Sequence, residues 1–116
     1  MASSNSKSDG GSGAPAVHRF CPAEDITEGV AQSRVMADLP VAVCRLDGKL
    51  AAFSALCPHL RTDLSEGIVG RGGITCGDHL WHFDLRDGRC AMVPGARLTI
   101  YPVREEDGWI LVELPT

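Results

Sequence analysis

Two short segments of this 116-residue sequence concentrate side chains that can bind a metal. The first is Cys57-Pro58-His59 and the second is Cys76-Gly77-Asp78-His79. Each segment offers one thiol and one imidazole at the end of an apolar stretch that predicts a β-strand. Loops at matching ends of two hairpins would bring all four side chains to one centre. The pattern therefore predicts a metal or cluster site built from two loops.

The ligand pattern alone leaves two kinds of site open. Zinc accepts two cysteines and two histidines in tetrahedral geometry, which would make the chain a zinc-stabilised interaction module. Zinc sites usually pair cysteine with cysteine and histidine with histidine, whereas both segments here mix the two types. Mixed pairs make better sense if each segment gives its cysteine to one iron and its histidine to another.

The residues around the four candidate ligands resemble the two cluster loops of Rieske [2Fe–2S] proteins. The first loop is similar over Cys57-Pro58-His59-Leu60 and Leu64-Ser65-Glu66-Gly67, and the second over residues 74–84 with Asp87-Gly88. Residues 93–96 lie where this family has a proline loop that covers the cluster. The resemblance spans about residues 17–114. It implies one [2Fe–2S] cluster per chain, held by Cys57, His59, Cys76 and His79.

The resemblance also implies a fold and a function. The fold would be all-β, with an antiparallel β-sandwich base and a small two-loop cluster-binding subdomain. Leu80-Trp81 after His79 looks like the ferredoxins of toluene-monooxygenase-type systems. Such a protein is an electron carrier and not itself an enzyme. It would pass single electrons from a flavoprotein NADH reductase to a terminal oxygenase of aromatic hydrocarbon catabolism, either a di-iron monooxygenase or a Rieske dioxygenase.

A second function within the same resemblance is the Rieske-like small subunit of a nitrite-reductase-type enzyme. Many such subunits lack the cluster ligands. The complete set in this sequence therefore favours the electron carrier.

The reduction potential is predicted to lie low in the Rieske range. Two thiolates cancel the two positive charges of the oxidised cluster core, and neutral histidines raise the potential into a range of about −150 to +300 mV. Quinol-oxidising Rieske proteins also have a disulfide between the loops and Ser and Tyr hydroxyls near the sulfurs. Thr62 and Asp78 occupy the disulfide positions here, and Trp81 and Phe83 occupy the hydroxyl positions. The missing donors predict a lower potential.

Short strands separated by turn residues must position these loops. Asp47-Gly48 lies between residues 40–46 and 50–56, and Asp107-Gly108 between residues 98–103 and 109–113. Asp-Gly readily takes the positive φ angles of a tight hairpin turn. Further strands are predicted at residues 74–76, 81–85 and 89–93, with a turn or single helical turn near residues 22–26. The pattern indicates an antiparallel sandwich or barrel-like domain.

Composition sets the remaining expectations. Residues 1–16 are predicted to be a disordered Ser/Gly-rich tail, and residues 17–116 one Rieske domain with its cluster-binding subdomain at about 57–97. A formal charge of −4 without a basic stripe argues against nucleic acid. No apolar stretch or signal sequence predicts a membrane partner, so we expect a cytoplasmic monomer. Five cysteines argue against a disulfide framework, and Cys21, Cys44 and Cys90 are predicted to be buried thiols.

Overall fold

The structure is a computed structural model that describes residues 16–57, 63–76, 81–90 and 92–115. Within these ranges the chain forms ten strands and two 3-10 turns, Ala23–Asp25 and Leu64–Glu66. The strands are β1 (Ala16–Pro22), β2 (Gln32–Met36), β3 (Leu39–Leu46), β4 (Lys49–Ser54), β5 (Ile68–Gly70), β6 (Gly73–Thr75), β7 (His82–Asp84), β8 (Ile100–Tyr101), β9 (Val103–Glu106) and β10 (Trp109–Leu114). The predicted tail lies outside the described residues apart from Ala16, which begins β1. Nowhere in the described ranges is a helix long and apolar enough to cross a membrane.

The strands form three antiparallel sheets. Their strand orders are β1-β10-β9, β2-β3-β4-β8 and β5-β6-β7. The first two sheets form the base, and the third is a small sheet that carries the second candidate ligand segment. The predicted all-β, antiparallel architecture is confirmed.

Two-residue turns set the register of the hairpins. Asp47 and Gly48 have φ angles of 53° and 77°, and Asp107 and Gly108 of 53° and 81°, as the Asp-Gly pairs predict. The predicted turn near residues 22–26 is the 3-10 turn Ala23–Asp25. A third turn of the same geometry, Ala37-Asp38, joins β2 to β3 without a glycine. Because alanine rarely adopts positive φ, these residue types do not predict a turn, and β2 is an element that sequence patterns miss.

The predicted strand over residues 98–103 is wrong in one respect. The chain divides at Pro102 into β8, which pairs with β4, and β9, which pairs with β10. Proline has no N–H to donate to a ladder, so the strand can leave one sheet there and enter the other. The carbonyl of Pro102 still accepts a hydrogen bond from the N–H of Glu113, with an N···O distance of 3.0 Å that is typical of a ladder.

The predicted strand over residues 89–93 is reduced to isolated bridges. Cys90 pairs with Phe83, and Arg89 pairs with Arg97. Beyond Cys90 the chain turns, because Gly95 has a φ of 92° and the N–H of Ala96 donates to the carbonyl of Val93 at 3.1 Å.

Strand β3, inside the sheet β2-β3-β4-β8, is buried on both faces along its middle. Along β3, Val41 and Val43 point into a core shared with β1 and β10, whereas Ala42 and Cys44 point into a core shared with the small sheet. All four are fully buried. Alternate side chains of a strand face opposite ways, so this continuous apolar run fills two cores at once.

Glu28 stabilises the turn between β3 and β4 through hydrogen bonds. Its carboxylate accepts hydrogen bonds from the N–H of Asp47 at 2.7 Å and of Gly48 at 3.0 Å. The N–H of Gly29 donates to the carbonyl of Arg45 at 2.8 Å, which holds Glu28 beside the turn.

We expect Glu28→Ala to lower the free energy of unfolding by about 1–2 kcal/mol, because two backbone donors lose a charged acceptor. Urea denaturation of both proteins measures the difference. Glu24→Ala is the matched control, since Glu24 is exposed and its side chain makes no hydrogen bond or ion pair within the part of the chain that the structure describes. Equal losses in the two variants would contradict the assignment.

Candidate metal centre

Cys57 lies at the neck of the first ligand loop, by which we mean the place where residues 55–57 and 63–64 are joined by backbone contacts. Leu56 before it pairs with Asp63 in an antiparallel bridge, and the N–H of Leu64 donates to the carbonyl of Ala55 at 2.6 Å. These contacts close the chain across residues 58–62, which lie outside the described residues. Cys57 itself is fully buried.

A side-chain network anchors the end of this loop to the base. One oxygen of Asp63, Oδ1, accepts from the N–H of Ser65 at 2.8 Å and from its hydroxyl at 2.7 Å. The hydroxyl of Ser33 on β2 lies 3.3 Å from Asp63 Oδ2 and 3.3 Å from Ser65 Oγ. The first loop is thereby tied to the edge strand β2.

Cys76 lies at the neck of the second loop. Its N–H donates to the carbonyl of Trp81 at 2.8 Å, so the chain closes across residues 77–80. The next pair, Thr75 and His82, is joined by backbone pairing and by a hydrogen bond of 2.8 Å between Thr75 Oγ1 and His82 Nδ1.

His82 connects this neck to the far end of the small sheet. Its Nε2 lies 3.3 Å from the carbonyl of Arg71. A carbonyl only accepts, so Nε2 is the donor and the Thr75 hydroxyl donates to Nδ1. Strand alternation alone suggests a surface position for His82. The ring is instead half-buried and bonded at both nitrogens, a role that no sequence signal indicated.

Two glycines permit the close packing around β7. A Cβ on Gly73 would lie 1.9 Å from the carbonyl oxygen of Phe83. Gly88 has a φ of 82°, and a Cβ there would lie 2.0 Å from the carbonyl oxygen of Leu98. Both positions therefore require glycine.

The two cysteines share one core. Cys57 and Cys76 belong to the cluster of buried residues that also contains Leu64, Ile74 and Phe83. Trp81 is partly buried against this cluster, and its ring centroid lies 6.4 Å from that of Phe83. The structure thus brings the necks of both loops to the same apolar region.

The histidines predicted as ligands, His59 and His79, lie outside the described residues, as do Leu60, Thr62, Asp78 and Leu80. Among the described residues no group of three or more potential metal ligands forms. The complete ligand set therefore stays a prediction.

The surplus cysteines are buried as expected. All five cysteines are described, and none forms a disulfide. Burial, with a smaller contribution from Glu28, raises the pKa of Cys44 to about 11, and burial also raises the pKa of Cys21. Both thiols therefore stay protonated and unreactive near neutral pH. Cys90 is buried in the same core as Cys57 and Cys76.

The described residues fit an iron–sulfur cluster. Two buried thiols lie at the necks of two loops, and each loop carries an imidazole in its sequence. Thiolates are the ligands that iron–sulfur clusters require, and an apolar surrounding core limits water access to the sulfurs.

Comparisons with known proteins agree with this fit. The family model for the Rieske [2Fe–2S] domain matches residues 16–102. The anthranilate 1,2-dioxygenase ferredoxin subunit of Burkholderia cepacia is 33% identical over 99 residues, covering 84% of this chain and 91% of that protein.

Two solved structures share the fold. One, assigned as an NADH-dependent nitrite reductase small subunit from Mycobacterium tuberculosis, has a TM-score of 0.80 at 28% identity, covering 86% of this chain and 96% of that one. The other is a chain from the complex of reduced oxygenase and oxidised ferredoxin in carbazole 1,9a-dioxygenase, with a TM-score of 0.73 at 27% identity, covering 82% and 99%. With the matched domain and the paired cysteine necks together, the chain belongs to the Rieske [2Fe–2S] domain family and carries a [2Fe–2S] cluster.

Proposed function

We propose that this protein is a one-electron carrier whose cluster is held by Cys57, His59, Cys76 and His79. The observation that carries the proposal is the burial of Cys57 and Cys76 in one core, each at the neck of a loop with a histidine two or three residues further on. A Rieske cluster accepts and donates one electron at a time. The chain supplies its ligands, its orientation and its apolar cover.

The burial of the cysteines indicates which side of the cluster would face the protein surface. Cys57 and Cys76 are 0% and 2% exposed, so the thiolate side faces the domain interior. The two histidines follow in the loops, and the electron would enter and leave through their outer ring edges. The described residues near this end include the exposed Pro94 and Met92, which add apolar surface suited to a transient protein contact.

The proposed partners are a flavoprotein NADH reductase as donor and a terminal oxygenase as acceptor. The relative from Burkholderia cepacia is by name a dioxygenase ferredoxin subunit, and the carbazole dioxygenase structure is by title an oxygenase–ferredoxin complex. These relatives support a dioxygenase as acceptor. Leu80-Trp81 supports the narrower toluene-monooxygenase-type assignment, in which the acceptor is a di-iron enzyme. The cytoplasmic location and the monomeric state also stay predictions.

A small subunit of a nitrite-reductase-type enzyme is the second candidate function. It is favoured by the similarity to the Mycobacterium tuberculosis structure. A subunit would form a stable stoichiometric complex with its enzyme, whereas a carrier associates only transiently. Size-exclusion chromatography of the chain purified from its native host separates the two functions.

The purified chain should contain two irons and two acid-labile sulfides, and should give a rhombic EPR signal when reduced. His79→Ala should lose the cluster. Cys90→Ser is the matched control, because Cys90 is buried in the same core as both cysteine ligands. This variant should keep the full spectrum. Stoichiometric zinc without labile sulfide would refute the proposal, and loss of colour in Cys90→Ser would refute the ligand assignment.

The midpoint potential should be negative against the hydrogen electrode near neutral pH, in the lower part of the range of about −150 to +300 mV. The reason is the absence of hydroxyl donors at Trp81 and Phe83, the second of which is fully buried. Phe83→Tyr should raise the potential if its hydroxyl reaches a sulfur. Spectroelectrochemical titration measures both proteins, and a value well above zero for the native chain would contradict the prediction.

Leu80→Glu should slow reduction by the donor and oxidation by the acceptor together, by about tenfold or more, while the cluster is retained. The proposal makes both partners dock at the histidine end, where a buried charge is costly. Val30→Glu is the matched control, because it also replaces an aliphatic residue by glutamate. Val30 is exposed and follows Gly29, whose N–H donates to the carbonyl of Arg45 at the end of β3 that is far from the ligand loops. Stopped-flow kinetics of both half-reactions test this, and an effect on one partner alone would show two separate docking faces.

A further inference from the structure

Two arginines lie opposite each other beside the proline loop. Arg89 and Arg97 form an antiparallel bridge. The bonds on either side of it run from the N–H of Leu98 to Gly88 at 2.7 Å and from the N–H of Cys90 to Ala96 at 3.4 Å. The arginines are therefore a non-hydrogen-bonded pair, the kind in which side chains lie closest, with Cβ atoms about 4.5–5.5 Å apart.

The charge of this pair is only partly compensated. Arg89 approaches Asp87 at 3.7 Å, and both side chains are exposed. Arg97 makes no ion pair and no side-chain hydrogen bond within the described parts of the chain. Directly opposed like charges destabilise a strand pair, so this arrangement costs stability.

The pair is close to the candidate cluster. A surface groove is lined by both arginines together with Cys90, Pro94, Gly95 and Ala96. Arg97 also lines a second cleft, which reaches the buried ligand candidate Cys57 between Leu56 and Leu98. The positive charge therefore lies at the end of the molecule where electrons would cross.

The acidic residue at the end of the first loop, Asp63, lies on the other side of the base. Asp63 and Ser65 contact Ser33 on β2, which is one edge of the sheet β2-β3-β4-β8. Arg97 precedes β8, the opposite edge of the same sheet. The chain as a whole carries −4, so this positive face is a local departure from the average.

We propose that the groove between Arg89 and Arg97 binds carboxylates on the protein that donates electrons to this chain. The inference rests on the proposed carrier function. An oxidised cluster with two thiolates adds no net charge, so the arginine pair attracts an acidic surface. When the chain accepts one electron, the site gains one negative charge and the attraction weakens. The same surface then favours binding before electron transfer and release after it.

The test uses hexacyanochromate(III), an inert trivalent anion, added to the oxidised holo-protein at low ionic strength. Broadening of amide NMR signals should be strongest at Gly95 and Ala96. Arg97→Gln should weaken this binding about five- to tenfold, as expected for loss of one charge about 8–10 Å from a trivalent ion. Arg71→Gln is the matched control, since Arg71 is an exposed arginine in the turn between β5 and β6, at the end of the small sheet away from the ligand loops.

A second measurement uses a flavoprotein NADH reductase from a related ferredoxin system as donor. Arg97→Gln should raise the KM for the chain several-fold with kcat little changed, and Arg71→Gln should change neither. Equal broadening at Gly72 and Ala96, or equal effects of the two variants, would overturn the proposal. Binding of the anion without any change in KM would overturn the assignment to the donor. The visible spectrum of each variant reports the cluster, so a protein without a cluster would refute the carrier function separately.

Discussion

The fold depends on the burial of β3 and β4 on both faces. Val41 and Val43 fill one core and Ala42 and Cys44 the other, while Ala52 and Phe53 divide in the same way on β4. A single hairpin therefore supports the base sheet on one side and the small sheet on the other. Because β4 leads directly into Cys57, the position of the first ligand loop is set by the most buried strands of the domain.

Each ligand loop is held at its neck by contacts that do not involve the ligand side chains. The first neck uses backbone pairing at Leu56 and Asp63 and the hydroxyl of Ser33. The second uses the bond between Cys76 and Trp81 and the ring of His82. Such supports restrict the orientations available to the ligands before any cluster forms, which lowers the entropy lost on binding it.

Much of this could be predicted from the sequence, and the exceptions have physical causes. Asp47-Gly48 and Asp107-Gly108 predict their hairpins correctly, because these residue types tolerate positive φ. Ala37-Asp38 adopts the same geometry without a glycine, between Met36 and Leu39, which pack against the base core. The residue types of this turn therefore do not predict β2. The cysteine necks followed from spacing and family resemblance. The roles of His82 and Glu28 depend on contacts between residues 7 to 20 positions apart in sequence, which no local pattern encodes.

The passage of the chain from one sheet to the other at Pro102 has a mechanical consequence. β8 and β9 are separated by one residue and are edge strands of different layers of the base, so the layers are joined covalently along one edge as well as by the packing of side chains. Separating the layers would pull Tyr101 out of its buried position beside Ala52 and Val103 away from Val112. The base should therefore open as one cooperative unit, with both of its layers exchanging their buried amide hydrogens at a common rate.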